Sequence, residues 1–344
     1  MRLTNPIAKI TKSENASVFL VLLFIIISII LVEFSVVRNM NISKVAFIKP
    51  MNVSNVLLQV SVTGIMALSM TLIMISGGID LSVGQMMCFI GTMMAFTIKS
   101  MGFTGGLAAI IALAVTVMFQ LIMGLIISRT RLESFIVSLG FLSIYRGFTY
   151  LITNGREITT EGKFTFLGKT FIDLTENFRI AMPVVIFIVL TMLVWFVLKF
   201  TKFGRRVYAV GGNETAAYLA GINVKNFRLL LYGINGVFIA IASMVQLSRL
   251  GTGNPLMGEG KEIEVIAAVV VGGTALAGGK GNAWGTFIGV LLLGIISNGL
   301  NILGVNPHWQ YVMRGLLIVF AVSLTYVSSM RASSTNRQIK EGQS

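Results

Sequence analysis

The chain has 344 residues, of which 55% are hydrophobic and 12% are charged, whereas soluble proteins carry about 25% charged residues. This composition excludes an ordinary soluble domain and indicates a polytopic membrane protein. The net charge of +14 does not indicate a nucleic-acid partner, because the basic residues lie in short segments between apolar runs and not on one folded surface. The single cysteine, Cys88, excludes an internal disulfide and a multi-cysteine metal site, and we expect no metal site in the chain.

Ten apolar segments approach or reach the length that crosses a hydrocarbon layer of about 30 Å. The fold class we predict is therefore an all-α polytopic membrane protein with about ten transmembrane helices. The even number places both tails, 1–17 and 329–344, on one side, and a cytoplasmic placement gives that side fifteen lysine and arginine residues against ten outside. The segments cover residues 18–37, 54–75, 83–98, 107–127, 134–152, 180–198, 229–247, 263–277, 283–303 and 309–328.

Two glycine-rich breaks interrupt the apolar segments, one at residues 76–84 and one at residues 271–279. Non-helical backbone at membrane depth is tolerated only where protein buries it or a wet cavity adjoins it. Paired interrupted helices in two halves of a chain are typical of a transporter's permeation site. The alternative is close helix packing, which small residues permit. The pathway residues predicted from the breaks are Gly77, Gly78, Asp80, Ser82, Gly272, Gly273 and Thr274.

The two breaks also indicate an internal repeat. Gly77-Gly78 aligns with Gly272-Gly273, and Arg146-Gly147 aligns with Arg314-Gly315. Within a transmembrane domain at 18–328, helices two to five (about 54–152) would pair with helices seven to ten (about 229–328). The second unit would lie upside down in the membrane, which is the arrangement that builds two-sided access.

Four ionisable residues lie in or beside apolar segments. A carboxylate such as Asp80 is energetically unfavourable there unless it is paired or in contact with water. It would therefore either contact a polar solute or cap the helix that follows. We expect Arg146 and Arg314 to extend to an interface, and Glu33 to reach the lipid headgroups.

The loop at 199–228 is the most basic loop of the chain and contains a predicted short helix. Asn213 is a good N-cap, Glu214 places an acid in the first turn, and Gly221 supplies the stop. A capped helix in a cytoplasmic loop suits a partner's groove, and the alternative is a helix lying on lipid. The residues predicted to couple to a partner are Gly204, Arg205, Asn213, Glu214, Ala216, Ala217 and Gly221.

Four ordered stretches resemble the permease subunit of ribose- and galactoside-type ABC importers, within the superfamily that also holds branched-chain amino-acid permeases. They are Gly77 to Gly84, Gly211 to Ala217 with Gly221, Ile266 to Gly281, and Gly304 to Tyr311. The resemblance covers nearly the whole chain from about residue 50. It implies a bacterial cell (inner) membrane protein, paired with a second permease subunit, a cytoplasmic ATP-binding subunit and an extracytoplasmic sugar-binding protein.

The resemblance also implies that Ala216, Ala217 and Gly221 dock on the ATPase. One departure is Glu264, where the family leads us to expect aspartate before the Ile-Ala-Ala run, and this leaves the fine substrate open. Asp80 stands where amino-acid permeases usually show asparagine, which favours a sugar.

The chain itself is predicted to be non-catalytic and to bind no cofactor. Lys280 follows Gly278-Gly279, but the phosphate-loop spacing is absent and Gly281 stands where Ser or Thr is required. ATP and Mg²⁺ would therefore bind the partner ATPase. The alternatives are a permease for a nucleoside or branched-chain amino acid, an ion-coupled secondary transporter, for which the chain has few midplane ionisable groups, and a non-transporting scaffold, which needs no interrupted helices.

Overall fold

The computed structural model describes residues 14–37, 45–130, 132–175 and 178–306, together with 308, 309, 312, 315, 316 and 319. The part described is mainly helical. Its helices are α1 Glu14–Val32, continued by a π-helical turn at Glu33–Val37, α2 Pro50–Ile75, α3 Val83–Ser100, α4 Gly105–Arg129, α5 Ser134–Thr153, α6 Phe166–Lys169, α7 Met182–Phe200, α8 Lys202–Gly212, α9 Glu214–Leu219, α10 Val224–Leu250, α11 Lys261–Val271 and α12 Ala283–Ile302.

The described residues are mostly helical, as predicted, and the connections between α5 and α7 and between α10 and α11 also contain short strands. Strand β1 (Ile158–Thr159) pairs antiparallel with β4 (Thr252–Gly253), and β2 (Phe171–Thr175) pairs antiparallel with β3 (Phe178–Ala181). These strands lie in connections, so they leave the helical class unchanged.

Six helices in the described ranges are long and apolar enough to span a membrane: α2, α4, α5, α7, α10 and α12. The segment predicted at 263–277 is a helix of only 11 residues that ends at Val271. The first apolar segment forms a shorter apolar helix, Phe19–Ser35, and α1 begins at Glu14, inside the predicted tail. The tenth predicted segment, 309–328, lies largely outside the described residues.

Helix α2 is the centre of the bundle. In its most apolar window 83% of the residues are buried, against 33% for α4 and 22% for α5. A helix that is apolar on all sides stays in a core, and here the surrounding helices cover it. The exposed faces of α4 and α7 are apolar, as expected for surfaces that meet lipid, and so is that of α5 apart from Ser143 and Arg146.

Helices α4 and α10 approach closely because small residues line their contact. A Cβ on Gly236 would lie 3.0 Å from the Cα of Val117, and a Cβ on Gly124 would lie 2.7 Å from the Cβ of Tyr232. Small residues that let backbones approach are a general device of membrane helix packing.

The bundle has two ends, which we call the α8 end and the β4 end. At the α8 end the last turn of α4 meets the first turn of α10, where Arg129 donates to Asn226 (2.9 Å). At the β4 end the backbone N–H of Gly168 donates to the hydroxyl of Ser248 (2.8 Å). The predicted partner loop, 199–228, lies at the α8 end. It includes all of α8 and α9 and the first turn of α10.

Residues 76–82 turn back into the bundle after α2 has reached the α8 end. The N–H groups of Ile79 and Leu81 donate to the hydroxyls of Ser134 (2.9 Å) and Ser138 (3.0 Å) on α5. Helix α3 consequently starts inside the bundle, and its first residue lies close to the level of Gln120, which is roughly 13 Å along α4 from Arg129 at 1.5 Å per residue.

Residues 251–260 turn back in the same way from the β4 end. A Cβ on Gly253 would lie 2.8 Å from the Cα of Thr92, and a Cβ on Gly258 would lie 2.5 Å from the carbonyl oxygen of Gly84. The segment therefore runs antiparallel to α3 and delivers the start of α11 into the interior of the bundle.

Candidate functional site: the glycine breaks and the helices beside them

The two glycine breaks and helix α8 meet at one point, at the α8 end. The N–H of Gly279 donates to the carbonyl oxygen of Ile75 at 2.8 Å, which ties the second break to the last turn of α2. Gly211 approaches so closely that a Cβ there would lie 1.7 Å from the same carbonyl oxygen. A Cβ on Gly278 would lie 3.1 Å from the Cα of Gly77. Only glycine permits this three-way backbone contact.

Both breaks end a helix with the same hydrogen-bond pattern. The N–H of Gly77 donates to Met74 and that of Gly78 to Ile73, each at 3.0 Å. At the second break Gly273 donates to Val270 (2.9 Å) and Thr274 donates to Val269 (3.2 Å). Each pair is a Schellman cap, in which the left-handed residue is glycine. Gly77 and Gly273 are those residues, with φ of 85° and 92°.

The predicted alignment of the two Gly-Gly pairs is therefore wrong by one residue, because Gly77 matches Gly273 and not Gly272. The breaks also differ in position along the helix order. The first lies between α2 and α3, whereas the second lies between α11 and α12. Residues 76–82 connect the long helix α2 to the shorter helix α3. Residues 251–260 connect the long helix α10 to the shorter helix α11 in the same order, so they are the counterpart of 76–82.

Asp80 is fully buried and accepts four hydrogen bonds. The backbone N–H and the hydroxyl of Ser82 donate to its Oδ1 (2.8 and 2.6 Å). The side-chain amides of Gln120 and Asn235 donate to its Oδ2 (3.2 and 2.7 Å). The hydroxyl of Ser69 donates to Asn235 Oδ1 at 2.7 Å, and all five side chains are almost inaccessible. The carboxylate thus joins the start of α3 to α4 and α10, and Asn235 extends the network to α2.

Of the two roles considered for Asp80, this geometry supports the architectural one, but Asp80 does not cap α3 itself. Its Oδ1 accepts from the backbone N–H of Ser82, which is the N-cap residue, and not from an N–H of the first turn of α3. Ser82 occupies the N-cap position but makes no side-chain cap hydrogen bond; its hydroxyl donates to Asp80 instead. Sequence reasoning missed Gln120 and Asn235, although an amide in the middle of an apolar span is a usable signal for a buried polar network.

The second break divides into a packed part and an exposed part. Gly272 is buried against α12, where an added Cβ would lie 2.4 Å from the carbonyl oxygen of Gly285. Thr274 is also buried, and its hydroxyl has no hydrogen-bond partner among the described residues. Gly273 and Gly77 are exposed. Of the predicted pathway residues, Asp80, Ser82, Gly272 and Thr274 are therefore inside the protein.

Helix α9 has the caps that the sequence predicts. The side chain of Asn213 accepts from the N–H of Ala216 at 2.9 Å. Gly221, with φ of 85°, ends the helix in a third Schellman cap, donating to Tyr218 at 2.9 Å. The 11-residue helix α8, which lies before it, was not predicted.

The predicted coupling residues divide between two surfaces. Ala217 and Gly204 are buried against the protein itself, whereas Arg205, Asn213, Glu214, Ala216 and Gly221 are exposed. Tyr218 and Leu219 are 70% and 79% exposed, and sequence reasoning missed them. Two large apolar side chains left uncovered on a polar helix form a candidate contact for a partner.

A cavity of about 530 Å³ adjoins both the first break and α9. Its wall includes Gly77 and Gly78 on one side and Glu214 and Arg228 on the other. Glu214 and Arg228 form an ion pair at 2.7 Å, which ties α9 to the first turns of α10.

Tyr208 of α8 provides a further link to the second break. Its hydroxyl donates to the carbonyl oxygen of Gly281 at 2.8 Å. Burial raises the pKa of the Tyr208 hydroxyl above its usual range, so the group remains a donor at physiological pH. Helix α8 is thus joined to both breaks by the backbone contact at Gly211 and to the second break also by this hydrogen bond.

Two other ionisable residues differ from their predicted surroundings. Glu33 is buried and does not reach the headgroups; it accepts from the N–H groups of Ala46 (2.6 Å) and Phe47 (3.0 Å) before α2. Arg146 forms an ion pair with Glu259 at 2.8 Å instead of extending to an interface alone. Arg314 lies outside the described residues.

A helical membrane bundle with two re-entrant segments, and with an external helical element joined to both glycine breaks, defines the class of multi-pass transport permeases. Comparison with known proteins then gives the family. A sequence profile described as the permease component of the branched-chain amino acid transport system matches residues 52–322. The chain belongs to this family, and it is a multi-pass protein of the bacterial cell (inner) membrane.

Individual relatives are similar over most of their length. The chain is 37% identical to the ribose import permease protein of Bacillus subtilis (strain 168) over 294 residues, covering 85% of this chain and 89% of the relative. It is 32% identical to the xylose transport system permease protein of Haemophilus influenzae, with 90% and 96% covered, and 35% identical to the fructose import permease protein of Rhizobium meliloti, with 81% and 78% covered. No solved structure matches the chain.

Proposed function

We propose that this chain is the transmembrane permease subunit of an ATP-driven ABC importer that moves a monosaccharide of the ribose, xylose or galactose kind into the cytoplasm. The relatives named for ribose, xylose and fructose support the solute class. The observation that carries the mechanism is the three-way contact of Ile75, Gly211 and Gly279, because it joins an external helix to the ends of two membrane helices.

In the proposed mechanism a cytoplasmic ATPase subunit docks on α9, and its closure on ATP and Mg²⁺ pushes α8. The exposed Tyr218 and Leu219 would fill an apolar groove of the ATPase. Because α8 contacts both breaks through backbone, its movement would be transmitted to α2 and α11 without flexible side chains. The chain binds no nucleotide itself in this proposal, and the α8 end is cytoplasmic.

The remaining partners complete the importer. An extracytoplasmic binding protein would deliver the sugar at the β4 end, and a second permease subunit, identical or paralogous, would enclose the pathway. We also propose that the chain contains an inverted repeat, in which the predicted segments two to five (about 54–152) correspond to the predicted segments seven to ten (about 229–328). The support is that residues 76–82 and 251–260 enter the bundle from opposite ends.

The proposal is tested by reconstituting the permease with its ATPase in vesicles and measuring the uptake of radiolabelled ribose, xylose, fructose and galactose. Uptake that needs internal ATP and the binding protein, and that a protonophore leaves unchanged, supports the proposal. Uptake by the permease alone down an ion gradient would overturn it in favour of secondary transport.

A branched-chain amino acid is the second candidate solute, because the description of the matching family profile names that class. Labelled leucine therefore belongs in the same panel. ATP-dependent uptake of leucine in preference to every sugar would replace the sugar proposal and leave the ABC mechanism in place.

A further inference from the structure

The interior of the bundle carries charged side chains that are partly exposed. The tip of the re-entrant segment, which we define as residues 257–264 and which includes the first turn of α11, contains the ionisable residues Glu259, Lys261, Glu262 and Glu264. Glu259 pairs with Arg146 of α5 at 2.8 Å, and the two side chains are 47% and 50% exposed. Lys261 pairs with Glu264 at 2.8 Å, with 28% and 19% exposed.

These pairs lie far from both ends of the bundle. Glu264 Oε1 accepts from Thr63 on α2 at 3.4 Å. Thr63 is roughly 20 Å along α2 from Pro50 and roughly 18 Å from Ile75, at 1.5 Å per residue. The tip is therefore close to the middle of a hydrocarbon layer of about 30 Å.

A polar stripe on α2 continues the same surface. Gln59 stands one turn before Thr63 on the same face of the helix and is exposed, as is Asn55 one turn further towards the β4 end. Asn52, on the same stripe, exchanges two hydrogen bonds of 2.9 Å with Asn298 of α12. In contrast, the exposed mid-helix residues of α4, such as Met118, line an apolar groove.

Half-exposed ion pairs and amides at this depth do not face lipid, because ionisable groups within a membrane face the bundle interior or a water-filled cavity. We propose that the tip, with Arg146 on one side and Gln59 on the other, is the solute-contacting wall of the permeation pathway. This places solute recognition in the membrane on the tip and not on the Asp80 network.

The chemistry of this wall fits a neutral polyhydroxyl solute. Each sugar hydroxyl is both a donor and an acceptor, and the wall alternates donors (Arg146, Lys261) with acceptors (Glu259, Glu264), while Gln59 supplies both. The two ion pairs balance in charge, and the neighbouring Glu262 adds one more carboxyl group to the tip, so an anionic solute is not favoured there. This identification of the solute class rests on the proposed function, whereas the exposure of the wall to water does not.

Water exposure is tested by cysteine accessibility in the full-length permease in membranes. Gln59→Cys is compared with Met118→Cys, which lies at a similar depth on the apolar face; the parent protein, with only the buried Cys88, gives the baseline. A charged, membrane-impermeant methanethiosulfonate should modify Gln59→Cys at least about tenfold faster, because the reactive thiolate forms in water and not in lipid. Equal rates, or faster reaction at Met118→Cys, overturn the proposal.

Solute contact is tested separately by uptake. Gln59→Leu should raise the half-saturation concentration for the transported sugar about tenfold, the loss expected for one or two solute hydrogen bonds, whereas Met118→Leu should leave it unchanged. An unchanged half-saturation concentration in Gln59→Leu, at equal expression, overturns solute contact. If no sugar is transported at all, the proposed function fails, and the labelling result still decides whether the wall is wet.

Discussion

Replacing Gly211 by alanine should separate α8 from the two breaks. The added Cβ would lie 1.7 Å from the carbonyl oxygen of Ile75 and 2.8 Å from the backbone nitrogen of Gly279. Both neighbours are backbone atoms, so no side chain can rotate away. Reaching even 3.0 Å from the carbonyl oxygen requires a movement of about 1.3 Å, which is incompatible with tight interior packing.

The expected cost follows from two effects. Overpacking costs about 1–3 kcal/mol, and weakening the hydrogen bond from Gly279 to Ile75 costs about 1 kcal/mol more. A total of about 2–4 kcal/mol should lower the apparent Tm by about 4–8 °C, taking roughly 2 °C per kcal/mol for a chain of this size. ATPase stimulation by the binding protein should fall as well, because α8 loses its contact with α2.

The assay is the fraction of purified permease that remains monodisperse after heating in detergent, followed by coupled ATPase activity in vesicles. Gly212→Ala is the matched control, since no atom lies within 4 Å of a Cβ at that neighbouring glycine. If Gly211→Ala is as stable and as well coupled as the unaltered protein, or if Gly212→Ala is equally impaired, the backbone contact does not have the role given to it.

Three further changes test the other contacts. Asp80→Ala should lower the amount of assembled permease and the rate of transport in parallel, as quantified by fluorescence-detected gel filtration and uptake. The reason is that it leaves buried donors unpaired, and each unpaired donor costs about 1–3 kcal/mol of stability. A selective loss of transport would instead support a direct pathway role for Asp80. Gly221→Leu should release the ATPase on co-purification, since its φ of 85° disfavours a side chain, whereas the exposed neighbour Ala220→Leu should retain it; retention by both would place docking elsewhere. Tyr208→Phe should lower the free energy of unfolding by about 1 kcal/mol through loss of the hydrogen bond to Gly281. Because burial raises the pKa of Tyr208, this difference in stability from the unaltered protein should be constant from pH 6 to the usual titration range of a phenol, about 10. A stability difference that disappears near neutral pH would contradict this.

Local signals in the sequence predicted local structure well. Asn213 and Gly221 define both ends of α9, because an N-cap side chain and a left-handed glycine act within one helical turn. The glycine pairs predicted the two breaks for the same reason. The inverted repeat and the placement of the termini stay predictions.

The sequence by itself determined the membrane class, the main apolar helices, the breaks and the capped helix, because hydropathy and capping are properties of short stretches of chain. Only the tertiary structure decided that Asp80 meets Gln120 and Asn235, that Gly211 meets Ile75, and that residues 251–260 re-enter the bundle. The physical reason is that such contacts depend on how distant helices pack, and one polar or small residue in an apolar span does not specify which neighbour it will meet.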